Sequence, residues 1–69
     1  SNMRAQEIRA LSKDDLEKEL GESYREAVNI RFRLATRQLS DTSQARKIRK
    51  KIAQLKTIIR ERELLEQLP

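Results

Sequence analysis

Two heptad repeats, separated by one cluster of turn-forming residues, run through this 69-residue sequence. Apolar or small residues recur at alternating steps of four and three, a spacing that aligns them along one face of a helix. The first set is Leu16, Leu20, Ser23, Ala27, Ile30 and Leu34, and the second is Ala45, Ile48, Ile52, Leu55 and Ile59. Between them lies Ser40-Asp41-Thr42-Ser43, the only such cluster inside the chain. The pattern predicts an all-α fold: an antiparallel two-helix hairpin that packs like a coiled coil.

The two repeats also predict how the helices face each other. If the chain folds at Asp41, every layer pairs residues whose numbers sum to 82. These pairs are Leu34 with Ile48, Ile30 with Ile52, Ala27 with Leu55 and Ser23 with Ile59. The alternative is one uninterrupted helix in an oligomeric coiled coil. The turn cluster and the repeats locate the same turn independently, which favours the hairpin.

Capping residues set the expected helix boundaries. Ser12 precedes Lys13-Asp14-Asp15, so a capping hydroxyl lies before an acidic first turn at the positive end of the helix dipole. Gly21 costs about 1 kcal/mol relative to Ala, which a long helix tolerates without a break. Asp41 with Gln44 resembles a capping box for the second helix, and Thr42 and Ser43 are alternative caps. We expect a helix over about 13–39, a turn over about 40–43 and a helix over about 43–67.

The chain is short enough to form one domain at most. Ser1-Asn2 before Met3 is typical of a cloning remnant, so residues 3–69 are expected to form the single helical-hairpin domain. A body of this size covers only about 60% of the surface that its unfolded chain exposes. We therefore expect the short N-terminal segment before Ser12 to fold over the open end of the hairpin through Ile8 and Leu11.

Composition argues against an enzyme. The sequence has no Cys and no His, so it lacks the spacings typical of zinc, haem and iron–sulfur sites, and also thiol and imidazole nucleophiles. The acids from Asp14 to Glu19 are interpreted as a solvated first turn. No catalytic residue, metal or cofactor is predicted, and no small-molecule substrate. No apolar run approaches the roughly 20 residues that span a bilayer, so a cytoplasmic protein without a membrane partner is expected.

Positive charge is concentrated around the predicted turn. Residues 29–56 hold nine of the 16 basic groups and one acid, Asp41, for a net charge of +8, while the remainder nets −3. In the predicted register Arg31 lies opposite Arg49 and Arg33 opposite Lys51, so like charges face each other. A polyanion along this surface would turn that repulsion into binding energy, whereas the alternative is a merely solvated face.

The kind of polyanion follows from what the sequence lacks. It has no zinc-finger, RNP or helix-turn-helix signature, and Tyr24 and Phe32 are its only aromatic residues. Two aromatic rings do not form a platform for stacking single-stranded bases. Recognition of the shape and phosphates of a folded RNA fits best.

A second apolar line lies outside the seam, on the outer face of the first helix. Its members are Val28, Phe32, Ala35 and Leu39, at steps of four, three and four. The hairpin cannot bury this line, so the line is either idle exposed surface or, as predicted here, a protein-docking surface.

Three blocks of sequence resemble a known family. They are Met3–Arg9 with Leu11-Ser12, Asn29–Thr36 with Gln38-Leu39, and Ile48–Thr57. In this order and spacing, from Met3 to about Glu63, they resemble the bacterial large-subunit ribosomal protein numbered twenty-nine. The resemblance implies a helical hairpin bound to large-subunit ribosomal RNA at the rim of the polypeptide exit tunnel. It implies a neighbour there, the ribosomal protein numbered twenty-three, and a place where targeting factors and chaperones dock.

The sequence departs from this family at two places. Arg37 stands where the family commonly has Gly, which suggests that the first helix continues further and adds a charge near the turn. The tail from Leu64 to Pro69 outlasts many relatives. The predicted RNA-binding residues are Asn29, Arg31, Arg33, Arg37, Gln38, Arg46, Lys47, Arg49, Lys50, Lys51 and Lys56.

Two other functions are open to such a hairpin. An adaptor without RNA binding would bind a partner helix through Val28, Phe32, Ala35 and Leu39, and its basic face would only keep it in solution. A basic helix on a membrane surface fits less well, because the seam already uses the apolar face of that helix.

Overall fold

The computed structural model describes residues 5–68, which form three helices and no strand. Helix α1 spans Ala5–Arg9, α2 spans Lys13–Ala35 and α3 spans Ser43–Glu66. Helices α2 and α3 pack side by side in opposite directions as a rod of 52 × 17 × 15 Å, with α1 against α3. The predicted all-α hairpin with a short N-terminal segment is confirmed. The proposed cloning remnant, Ser1-Asn2, lies outside the described residues.

The start of α2 follows the predicted capping pattern. Ser12 is the N-cap, with extended backbone, and its Oγ accepts a hydrogen bond of 3.2 Å from the backbone N–H of Asp15. Asp14 and Asp15 lie in the first turn, where the helix dipole favours negative charge. The helix runs through Gly21 without a break, and a Cβ there would have no neighbour within 4 Å. Gly21 therefore lowers helix propensity without serving a close contact.

Helix α2 ends at Ala35, so the predicted continuation to about residue 39 is wrong. The hydroxyl of Thr36 donates to the carbonyl oxygens of Phe32 at 3.0 Å and Arg33 at 3.3 Å. Arg37 follows with φ of +61°, in the left-handed region. A residue in that conformation turns the chain out of a right-handed helix. The connection between α2 and α3 consequently spans residues 36–42 and not 40–43.

Helix α3 begins at Ser43, after the N-cap Thr42, as the turn cluster predicts. The side chain of Thr42 forms no capping hydrogen bond. Asp41 takes that role, because its Oδ1 accepts from the backbone N–H of Ser43 at 2.9 Å and its Oδ2 from the Ser43 hydroxyl at 2.9 Å. Over residues 5–68 Gln44 makes no side-chain hydrogen bond, so the predicted capping box does not form. The helix ends at Glu66, one residue before the predicted end.

Burial follows the two predicted heptad stripes. The buried stripe residues are Leu16, Ser23, Ile30, Ile48 and Leu55, and the half-buried ones are Leu20, Ala27, Leu34, Ala45, Ile52 and Ile59. Ile58 is also buried, although the repeat does not include it. The core cluster consists of Ile8, Leu16, Leu55 and Ile58, with Leu11, Leu20 and Ile59 packed against it. This cluster lies in the open half of the rod, while Ile30 and Ile48 are buried nearer the turn.

The register differs from the prediction by one heptad. Glu19 and Lys51 form an ion pair of 2.6 Å. In the predicted register Lys51 lies level with residue 31, which is twelve residues from Glu19, or about 18 Å along the rod. If the helices shift by seven residues, so that the numbers of opposite residues sum to 75, Leu20 lies opposite Leu55. Leu16 then lies opposite Ile59, whereas the predicted register places it opposite Glu66. These four residues belong to the core cluster or pack against it. Because a heptad pattern repeats every seven residues, this shift still pairs stripe residues from Leu16 with Ile59 to Ile30 with Ala45. It moves the turn toward the end of α2 and leaves Leu34 level with Asp41.

Helix α1 closes the open end, as predicted for the N-terminal segment. Ile8 is fully buried in the core cluster, beside Leu16. Arg62 of α3 donates from Nη2 to the carbonyl oxygen of Arg9 at 2.6 Å, at the C-terminal end of α1. Arg9 also lies 3.5 Å from a carboxylate oxygen of Glu61. None of the helices over residues 5–68 is long and apolar enough to span a membrane.

The burial pattern predicts opposite results for two apolar truncations. Leu55→Ala removes a fully buried side chain and should lower the free energy of unfolding by about 2 to 5 kcal/mol, most of what so small a body holds. Phe32→Ala removes a ring that is 60% exposed and should cost under about 1 kcal/mol. Urea unfolding followed by circular dichroism measures both. Equal effects of the two truncations would contradict the assignment of the core.

Candidate nucleic-acid interface

In the turn half of the rod, six exposed basic side chains lie on the helix turns next to the connection between α2 and α3, and Arg37 lies in the connection itself. Arg31 and Arg33 lie in the last turns of α2, and Arg46, Lys47, Arg49 and Lys50 lie in the first two turns of α3. Within residues 5–68 none of the six forms an ion pair. We call these six residues the basic end. Their charges are therefore available to a partner.

Helical spacing explains how the basic end is displayed. Arg46, Arg49 and Lys50 are three and four residues apart, so they share one exposed face of α3. Ile48, between them in sequence, points into the seam and is buried. The seam thus anchors the segment through one apolar residue while the bases around it remain in solvent. Asn29, on α2, and Gln38, in the connection, are exposed at the same end.

Lys51 differs from the other predicted RNA-binding bases. Its side chain is only 14% exposed, and its Nζ lies 2.6 Å from Oε1 of Glu19, which is 25% exposed. The predicted placement of Lys51 opposite Arg33 is therefore wrong. The prediction that Arg31 faces Arg49 rested on the same register and fails with it. Lys51 joins α3 to α2 by opposite charges where like charges were expected.

Lys56 marks the other limit of the basic segment. Its Nζ lies 5.4 Å from the centroid of the Tyr24 ring, in the range of a cation–π contact. This contact lies on the outside of the rod, because Lys56 is exposed and Tyr24 is 42% exposed. Lys56 is thus placed against α2, away from the first turns of α3.

The predicted outer line of apolar residues is partly different in the structure. Val28 is 65% exposed, and Phe32 and Ala35 are also exposed, whereas Leu39 lies beyond the end of α2 and is half-buried. Leu39 thus leaves the helical line because α2 ends at Ala35. Tyr24 was not among the predicted members of this line, although it lies four residues before Val28 on the same helix face. We call Tyr24, Val28, Phe32 and Ala35 the outer stripe.

Asp41 is the one acid among residues 29–56. The backbone N–H of Ser43 and then its hydroxyl hold the pKa of Asp41 below its ordinary value, and the nearby charges of Lys47 and Arg46 lower it slightly further. A lowered carboxylate pKa stabilises the fold above the unfolded-state pKa, and this contribution is lost as pH falls through the folded-state pKa. At neutral pH, Asp41 is therefore ionised and engaged with the start of α3.

Taken together, the fold and its charges define a small, basic helical protein. The basic end presents exposed guanidinium and ammonium groups close together, an arrangement that suits contacts with several phosphates at once. Within the described part of the chain, no group of three or more Asp and Glu side chains is placed to hold a metal ion.

Comparison with known proteins identifies the family. The model of the family described as Ribosomal L29 protein matches residues 6–62. A protein named large ribosomal subunit protein uL29, from Caldanaerobacter subterraneus subsp. tengcongensis, is 52% identical over 62 residues, which cover 90% of this chain and 94% of the relative. A protein of the same name from Staphylococcus haemolyticus is 48% identical over 64 residues, or 93% of each chain. The chain belongs to the ribosomal L29 protein family.

Membership in this family settles the broad class of function. The chain is a structural ribosomal protein and not an enzyme, and it takes part in translation as a component of the cytoplasmic ribosome. The resemblance drawn from the three sequence blocks is confirmed.

The ion pair predicts that two adjacent lysines differ in their effect on stability. Lys51→Gln leaves Glu19 without its partner and should lower the free energy of unfolding by about 1 to 2 kcal/mol, since both groups keep some contact with solvent. Lys50→Gln, at an exposed position without an ion pair in residues 5–68, should change it by less than about 0.5 kcal/mol. Urea unfolding of the two variants tests this. Equal effects would show that the Glu19–Lys51 pair does not join the helices.

Proposed function

We propose that the chain is a structural constituent of the large ribosomal subunit that binds ribosomal RNA through its basic end. The observation that carries this proposal is the basic end, whose six exposed bases form no ion pair within residues 5–68. These bases lie at one end of the rod, whereas the sequence outside residues 29–56 has a net negative charge. The names of the relatives, large ribosomal subunit protein uL29, support the assembly.

Electrostatics favours RNA as the ligand of this surface. Each base that neutralises a phosphate releases condensed counterions, so binding weakens linearly with the logarithm of salt concentration. The like charges of the basic end repel one another in the free protein, and phosphates between them would relieve that repulsion. Asn29, Gln38 and Lys56 flank the basic end and belong to the proposed RNA-binding set. Lys51 contributes mainly to the fold, because its ammonium is already paired with Glu19.

We assign the outer stripe to protein docking in the assembled subunit. Its aromatic and aliphatic side chains remain exposed in the free chain, and buried aromatic anchors carry much of the energy of protein interfaces. From the family resemblance, the partner is the ribosomal protein numbered twenty-three, near the polypeptide exit tunnel. Targeting factors or chaperones are further candidate partners at that place.

The exposed stripe also favours a second candidate function, a protein-interaction adaptor without RNA binding. Its basic end would only keep the chain in solution. The two functions differ in their response to salt, because an apolar interface weakens little as salt rises. RNA binding with a steep salt slope supports the first function and contradicts the second.

Replacement of the four α3 bases tests the RNA interface. We expect the variant with Arg46, Lys47, Arg49 and Lys50 all changed to Gln to bind protein-free large-subunit ribosomal RNA more weakly. The slope of log affinity against log salt should fall by about 0.7 to 0.9 for each phosphate that the variant no longer neutralises. Helix content should survive, since Gln is a good helix former. Filter binding over a salt series and circular dichroism provide the two measurements.

The chain offers a control with the same change in charge. Lys13, Lys18, Arg25 and Arg60 are two lysines and two arginines at exposed positions outside the turn half. Changing these four to Gln should leave the salt slope close to that of the parent. Equal weakening by the two quadruple variants would mean that net charge alone, and not the basic end, drives binding.

A further inference from the structure

Arg37 adopts a backbone conformation that usually belongs to glycine. Its φ is +61°, and it is the one residue with a positive φ among residues 5–68. It stands directly after Thr36, the C-cap of α2. The backbone N–H of Gln38 donates to the carbonyl of Arg33 at 2.9 Å, and that of Arg37 to the carbonyl of Leu34 at 3.1 Å. These two bonds form the Schellman motif, in which Gly occupies the left-handed position at no steric cost.

The hairpin does not need an arginine side chain at this place. Bases near the end of a helix can stabilise it by donating to the last carbonyls. Here the carbonyls of Phe32, Arg33 and Leu34 already accept hydrogen bonds from the Thr36 hydroxyl or from backbone N–H groups. The Arg37 side chain is exposed, and within residues 5–68 it makes no hydrogen bond or ion pair.

Residues in sparsely populated conformations concentrate at functional sites, where the side chain supplies something that the fold does not require. At this position the side chain supplies a guanidinium at the tip of the rod. The first turns of α3, with Arg46 and Lys47, lie at the same end. A phosphate surface that meets the basic end of α3 would therefore also meet the connection between the helices.

We propose that Arg37 binds phosphate of the ribosomal RNA at the tip of the hairpin, as a contact separate from the α3 bases. This inference rests on the proposed RNA binding and adds a second contact to it. It also makes Arg37 a residue at which the chain exchanges stability for affinity. Replacing the arginine should therefore move the two quantities in opposite directions.

The test compares three variants by melting temperature and by binding to protein-free large-subunit ribosomal RNA. Arg37→Gly should raise the melting temperature of the free protein by roughly 4 to 8 °C, because Gly relieves the strained conformation. Its affinity at low salt should fall about fivefold, and its salt slope should fall by about 0.7 to 0.9. Arg37→Asn, which tolerates the left-handed region without a charge, should weaken binding to the same extent. Arg37→Lys keeps the charge and should keep the salt slope.

Two results would overturn the proposal. If Arg37→Gly binds the RNA as the parent does, with the same salt slope, Arg37 does not contact phosphate. If Arg37→Gly melts below the parent, the guanidinium serves the fold. Failure of the parent itself to bind in a salt-dependent manner would instead reject the proposed function, so the two failures are distinguishable.

Discussion

The apolar seam between α2 and α3 determines which side chains this chain can bury. In a rod 17 by 15 Å across, each helix has room for one buried stripe, and every other face remains in solvent. Ile48 shows the consequence, because it anchors the first turns of α3 while the bases on both sides of it point outward. Phe32 shows the same consequence, since its ring remains exposed on a face of α2 that α3 does not cover. The basic end and the outer stripe are what the seam leaves exposed.

The position of the two helices along the seam depends on charge as well as on apolar packing. A heptad spacing recurs after every shift of seven residues, so the spacing alone permits several registers. The observed register also gives Leu16 an apolar neighbour, Ile59, in place of Glu66. In one register Lys51 meets Arg33, and in the other it pairs with Glu19. A charge that becomes partly buried is costly without a partner, so the second register is favoured. The Glu19–Lys51 pair thus favours the same register as the apolar packing of Leu16 and Leu20 at the open end.

The difference between local spacing and contacts across the seam explains which features the sequence could predict and which predictions were wrong. Ser12, the heptad stripes and the closure of the open end by Ile8 depend on local spacing, and the structure confirms them. The predicted helix was too long because an arginine in the place of the family's common Gly favours a continuing helix, whereas Arg37 keeps the left-handed conformation that a Gly would adopt there. The heptad spacing does not determine the register, because the residues that face each other at the open end, such as Leu16 with Ile59 and not Glu66, decide it. A comparison of charged pairs across the alternative registers would have pointed to Glu19 and Lys51.

In the proposed function, the basic end is the part of the chain that binds RNA. Ultraviolet crosslinking of intact large ribosomal subunits that carry this chain, followed by mass spectrometry of nucleotide-bearing peptides, tests this placement most directly. RNA binding through the basic end predicts adducts within residues 29–37 and 43–50, and none within residues 13–26. Adducts confined to residues 13–26 would contradict it, because they would place the RNA against the acidic half of the rod.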